Sequence, residues 1–356
     1  MLSNFRACAA ATLVGSMPHR DRERAIDLIL KGTPQIPVWP QLSSYQPEQM
    51  MVQYLEGLPG IQAAEGRILL RTDTPGFEQE LYAFYEEYLR IEADPRELMG
   101  SRFRMGPETG KTFFRFLEVV GEASSSMEAV KGQVVGPFTL LAGLKDQQDR
   151  SILYDERLQD VVVKHLAMKA KWQIQHLKSF GRPVIMFLDE PALAGFGSSA
   201  FISVSRELIH QLLDEVVNSI HGEGALAGIH ICANTDWLLA FKSAVDIINL
   251  DAYNYMDKFA LYRDHFLKYI DEGRIMAWGM IPTTDASIVG QVTAQDLADR
   301  WLRNIEAFKS PTVDTKKILA QSLFTPSCGC GSLPEASAER VVELTRELGI
   351  IMKQYL

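Results

Sequence analysis

Hydrophobic positions along the chain fall into eight short runs, each followed by a turn and then a helical pattern. The runs cover residues 11–14, 36–39, 133–136, 184–188, 226–231, 246–250, 275–280 and 318–324. Polar and apolar residues do not alternate within most of them. They therefore read as strands buried on both faces, the habit of a parallel sheet under helical cover. Between them, residues 155–180 carry apolar side chains at helical spacing and stop at Gly181, and residues 203–220 are amphipathic up to Gly222 and Gly224. Residues 257–270, 294–308 and 335–352 follow the same pattern. Strict alternation of strand and helix predicts an α/β fold with a parallel sheet, and eight strands predict closure into a single (β/α)8 TIM barrel spanning residues 1–356. An open doubly wound sheet is the competing architecture. The alternation breaks over residues 57–130, where a strand-like stretch at 67–70 and a polar, aromatic-rich helix at 77–91 predict an excursion from the barrel.

Composition narrows the picture. The 356 residues include 36 Lys+Arg against 45 Asp+Glu, a net charge of −9, and 47% are hydrophobic. That apolar fraction suits a buried core rather than disorder. The acidic balance lacks a basic stripe, which argues against nucleic acid as a partner. No run reaches the roughly 18–20 apolar residues of a spanning helix, so no membrane is expected. Arg6 followed by small apolar residues 7–16 mimics a weak signal peptide, but the charged region is thin and the stretch also reads as a first strand running into Gly15-Ser16. The expectation is a cytoplasmic protein.

Four cysteines are too few for a disulfide framework. Cys232 lies two residues after His230 in Gly228-Ile-His-Ile-Cys-Ala-Asn234, so on a strand both side chains point to one side. Cys328 and Cys330 flank Gly329 just after the last strand. In a barrel these segments meet at the C-terminal rim, where such folds keep their chemistry. His230, Cys232 and a distant Cys from the Cys328-Gly329-Cys330 segment form a candidate zinc set, since three protein ligands with one open position is the usual catalytic arrangement. Asp251, closing the sixth run, is the candidate extra oxygen ligand. A buried free thiol, a redox pair at Cys328-Gly329-Cys330 or an incidental glycine-rich loop are the alternatives. Cys8 reads as a core thiol.

Six segments then carry a family resemblance: Val14-Gly-Ser-Met-Pro-His19, Met51-Val-Gln-Tyr54, Gly136-Pro-Phe-Thr139, Leu188-Asp-Glu-Pro-Ala-Leu193, His230-Ile-Cys232 and Pro326-Ser-Cys-Gly329. In this order they resemble the zinc-dependent methyltransferase superfamily of cobalamin-independent methionine synthase, the methylcorrinoid:thiol methyltransferases and uroporphyrinogen decarboxylase. The likeness is to the catalytic C-terminal barrel of the methionine synthases, without their N-terminal half. It implies Zn2+ as cofactor, held by His230, Cys232 and Cys328, and transfer of a methyl group to a small thiol such as homocysteine. It further implies that Ser16 holds the substrate carboxylate and that Asp189 takes the amino group. Read without the resemblance, Ser16 is a strand-to-turn residue and Asp189 a helix cap before Pro191.

Departures from the pattern bear on substrate and donor. Gln53 stands where the synthases have Glu, which removes one charge-assisted contact to an ammonium. Leu140-Leu-Ala-Gly143 lacks the Trp that stacks on the folate pterin, and Gly195 replaces a Glu that bonds it. Gly279-Met-Ile-Pro-Thr-Thr-Asp285 contains no His where the synthases supply a catalytic one, leaving Asp285 as candidate proton acceptor. These losses, with the missing half, point to a methylcorrinoid donor, either methylcobalamin or a corrinoid protein. The competing functions are methylation of another thiol, zinc or corrinoid binding without turnover, and tetrapyrrole decarboxylation using Arg20, Arg22 and Arg24.

Overall fold

The computed structural model describes residues 5–64, 67–123 and 126–356. Positions 1–4 of the leader-like N-terminus and 65, 66, 124 and 125 of the excursion lie outside the described residues. The frame is a parallel sheet of seven strands: β1 (Ala10–Ala11), β6 (Val130–Val135), β7 (Val184–Asp189), β8 (Leu226–Ile231), β9 (Ile247–Leu250), β10 (Ile275–Ile281) and β11 (Ser322–Pro326). Their spatial order is β1-β11-β10-β9-β8-β7-β6, so each strand from β6 onward lies beside its successor. Helices cross over between them, which makes the fold α/β and barrel-like.

The eighth expected strand, residues 36–39, does not form a ladder. Val38 makes one isolated parallel bridge to Lys131 in β6, and Pro37 O accepts from Lys131 N at 2.9 Å. On the other side, Ile36 O accepts from Thr12 Oγ1 at 2.8 Å. The stretch thus touches both edges of the sheet but pairs poorly with either. Pro37 and Pro40 explain this, because neither has an N–H to give to a ladder. Two short additions follow: β2 (Ser16–Met17) pairs in parallel with β3 (Gln41–Leu42). The start of the last run is also not a strand: residues 315–320 form a helix capped by Asp314, and β11 begins at Ser322.

The helices follow the periodicity closely, with one exception. Glu156–Leu177 is capped by the Asp155 carboxylate and ends near Gly181 at φ +66°. The expected helix over 257–270 is instead two, Ala252–Phe259 with a kink at Tyr255, and Arg263–Asp271. In the excursion, the β4 (Ile61–Ala64) and β5 (Arg67–Leu70) strands pair antiparallel, and helix Phe77–Ala93 follows. Lys169 Nζ ties the excursion down by donating to Arg104 O at 2.9 Å.

Alternation along the strands decides what faces inward. Ala10, Ile185, Phe187, Leu226, Ile247, Ile275, Ala277 and Leu323 pack together as one buried cluster in the concave side of the sheet. Continuing the same period of two toward the C-terminal ends puts Asp189, His230, Asn249, Asp251 and Thr325 on that same face. Register adds Lys131 and Gln133, which lie beside Ile185 and Phe187. An apolar floor therefore gives way to a polar upper layer.

Candidate metal centre

His230, Cys232 and Cys328 come together. Their ligand atoms all lie within 4.8 Å of one another, His230 buried and the two thiols half-buried and free. Strand β8 delivers His230, Cys232 follows just past its end, and the turn after β11 delivers Cys328. The imidazole is held by a residue that the sequence reading did not single out. Asn249 is fully buried and its Nδ2 donates at 2.8 Å to both Ala277 O and Thr325 Oγ1. Its Oδ1 must then be the acceptor toward His230 Nδ1, 2.6 Å away. Nδ1 therefore carries a hydrogen, and in the neutral imidazole it is Nε2 that presents a lone pair. That Nε2 is buried and has no hydrogen-bond partner. A buried unpaired acceptor costs stability unless something occupies it, and a cation beside two thiols is what this donor set suits.

The thiols behave as a pair. Cys232 is drawn well below its ordinary value, first by the hydrogen bond from Cys328 and also by His230, against the opposing effect of burial. Cys328 is driven up, first by donating to Cys232 and then by burial. One thiolate forms readily there, and a second needs a positive charge nearby. Cys330 is different. It is buried in the main core, its N–H donates to Ser16 O at 2.8 Å, and burial pushes its thiol up to about 12. Cys8, expected in the core, is only half-buried and has a left-handed φ of 42°.

Asp251 lies outside the three-residue cluster. Its carboxylate caps helix Ala252–Phe259, accepting from Asn254 N at 2.9 Å and from Asn254 Nδ2 at 2.7 Å. Burial raises its pKa. Asp285 is exposed and caps the single turn Ala286–Val289; hydrogen bonds from the Ser287 side chain and backbone hold its carboxyl below the usual range.

Ser16 stands directly over the turn that carries Cys328. A Cβ on Gly329 would lie 1.9 Å from Ser16 Oγ, so only glycine permits this approach. Asp189 ends β7 opposite His230 in register, is buried, and has an Oδ1 with no partner. Burial raises its pKa, opposed by His230 and Lys131. It caps no helix. Its neighbour Glu190 does, receiving Phe138 N at 2.9 Å, Thr139 N at 2.8 Å and Thr139 Oγ1 at 2.6 Å. Gln53 is fully buried with both ends of its amide engaged: Oε1 accepts from Gln41 Nε2 at 2.7 Å and Nε2 donates to Thr109 O at 2.6 Å. The basic residues near the first strand are not a free cluster, since Arg22 pairs with Glu48 and Arg24 with Glu339.

No family model matches the chain, and no curated protein matches it. Solved structures do. A methyltransferase from Methanosarcina mazei is 11% identical, with 99% of this chain and 94% of that one covered at a TM-score of 0.55. A B12-independent methionine synthase from Shewanella sp. W3-18-1, in complex with selenomethionine, is 22% identical over 67% of both chains at a TM-score of 0.47. A putative vitamin-B12 independent methionine synthase from Listeria monocytogenes is 15% identical over 94% of this chain and 85% of that one, at 0.49. At these identities, what is shared with the Methanosarcina mazei protein is the fold.

Proposed function

We propose that this protein transfers a methyl group to a thiol, with homocysteine as acceptor and a zinc ion held by His230 Nε2, Cys232 Sγ and Cys328 Sγ. The observation that carries the reading is His230 Nε2, buried and unpartnered, held toward two thiols by Asn249. Three nitrogen and sulfur ligands leave a fourth position for substrate, as catalytic rather than structural zinc sites do. When bound, the ion would lower the pKa of an incoming thiol so that it stands as a thiolate near neutral pH.

The chain's own residues supply placement. In this reading Ser16, over the Cys328-Gly329 turn, holds the substrate carboxylate, and Asp189, opposite His230 in register, takes the amino group. Lys131, buried on the same inward face, favours the ionised form of Asp189. Beyond thiol activation, holding the sulfur in line with the methyl carbon supplies most of the remaining acceleration. In this reading Asp251 and Asp285 act as helix caps, before Ala252–Phe259 and Ala286–Val289 respectively.

The donor we propose is a methylcorrinoid, free as methylcobalamin or carried by a partner protein. Supporting this, Gly195 has no space for the pterin-binding side chain of the folate enzymes: a Cβ there would meet the Phe201 ring at 2.8 Å, and Phe201 is itself packed on Phe138. The test mixes purified protein, homocysteine and either methylcobalamin or methyltetrahydrofolate. Methionine should form with the corrinoid. Turnover with the folate alone would overturn the donor. Zinc binding without turnover on either would overturn the transferase and leave a zinc-binding homologue.

A further inference from the structure

Two buried side-chain oxygens on the inward face have no donor: Asp189 Oδ1 and Gln133 Oε1. Gln133 Nε2 donates to Trp39 O at 3.1 Å, and a carbonyl can only face an N–H, so the free atom of that amide is its oxygen. Lys131, on the same inward row of β6, does not satisfy either atom. Its Nζ donates to Val14 O at 2.6 Å and lies over the Phe187 ring, 4.4 Å from the centroid.

Gln133 also sits in a telling place. Its amide lies against Gly15, where φ is +144° and a Cβ would come within 2.9 Å of Oε1. The next residue is Ser16, and the register of β6 with β7 sets Gln133 beside Phe187, two residues before Asp189. The orphan oxygen thus lies against the residue that precedes Ser16, on the inward row one layer below Asp189. Gln53, at the position where the resemblance places an amino-group ligand, has both ends of its amide engaged by Gln41 and Thr109.

We infer that Gln133 Oε1 is the second acceptor for the substrate's ammonium, beside Asp189, and that the site selects amino-thiols over thiols without an amine. This rests on the thiol-methylation reading. An ammonium brings three donors, enough for both oxygens, and each buried acceptor left unpaired would otherwise penalise binding.

The test is calorimetric titration of the zinc-loaded protein with L-homocysteine and with 4-sulfanylbutanoate, which keeps thiol and carboxylate but lacks the amine. Wild type should prefer homocysteine, Gln133→Met should cut that preference by about tenfold, and binding of 4-sulfanylbutanoate should stay unchanged. Gln133→Glu, which keeps an oxygen at that position, should retain the preference. An unchanged preference in Gln133→Met, an equal loss for both ligands, or a wild type that does not discriminate would each overturn the inference while leaving thiol binding in place. A wild type that binds neither thiol would overturn the functional reading itself, and this inference with it.

Discussion

Asn249 Oδ1 accepts a 2.6 Å hydrogen bond from His230 Nδ1, and that contact decides which imidazole nitrogen faces Cys232 and Cys328. The tautomer is set two layers deep, because Asn249 is itself fixed by Ala277 O and Thr325 Oγ1. Replacing Asn249 by Leu should lower zinc affinity by about 10- to 100-fold, the range for losing an outer hydrogen bond to a ligating histidine. Competition with a chromophoric chelator measures it, with far-ultraviolet circular dichroism as the control for folding.

This relationship marks what the sequence could and could not convey. His230 and Cys232 are legible because a strand's period of two puts both on one side, and Cys328 becomes legible once eight runs suggest a barrel that brings its last strand back to the first. Asn249 hides in the run Ile247-Ile-Asn-Leu250, where one polar residue looks like an interruption of an apolar strand. Its partners lie 19, 28 and 76 residues away. The fate of Gln53 was equally invisible, since its amide is engaged by residues 12 and 56 positions away. The failed strand at 36–39 was readable in principle. Pro37 and Pro40 mark it as a poor ladder partner, although its apolar pattern reads as a strand.

Asp251 separates a ligand from a cap. Asp251→Ala should destabilise the protein by about 1 kcal/mol, the usual effect of removing a helix cap. Zinc stoichiometry by elemental analysis should stay the same. Loss of the metal would return Asp251 to the ligand set.

Glu190 holds helix Pro137–Gly143 through three hydrogen bonds, two of them to one oxygen. Glu190→Gln places an amide N–H against donors at one of those positions. Thermal denaturation should show a loss of about 1–3 kcal/mol, the penalty for an unsatisfied buried group.

Lys131 gives a pH signature. Burial lowers its pKa from 10.5 to about 8, with Asp189 opposing. The folded state therefore holds fewer protons than the unfolded state between these values, and stability rises with pH across that window. Relative to Lys131→Met, wild type should gain on the order of 3 kcal/mol from pH 8 to above 10.5. Urea denaturation of both proteins at several pH values measures the difference. A flat difference would mean that the ammonium is not desolvated.

The central claim is that His230, Cys232 and Cys328 hold a zinc ion that takes up the substrate thiol. X-ray absorption at the zinc edge reads the ligands directly, since zinc–sulfur distances near 2.3 Å are distinct from zinc–nitrogen distances near 2.0–2.1 Å. The account predicts one zinc per chain with two sulfur ligands and one histidine nitrogen, and a third sulfur when homocysteine is added. No bound zinc, or a sulfur count that homocysteine leaves unchanged, would contradict it.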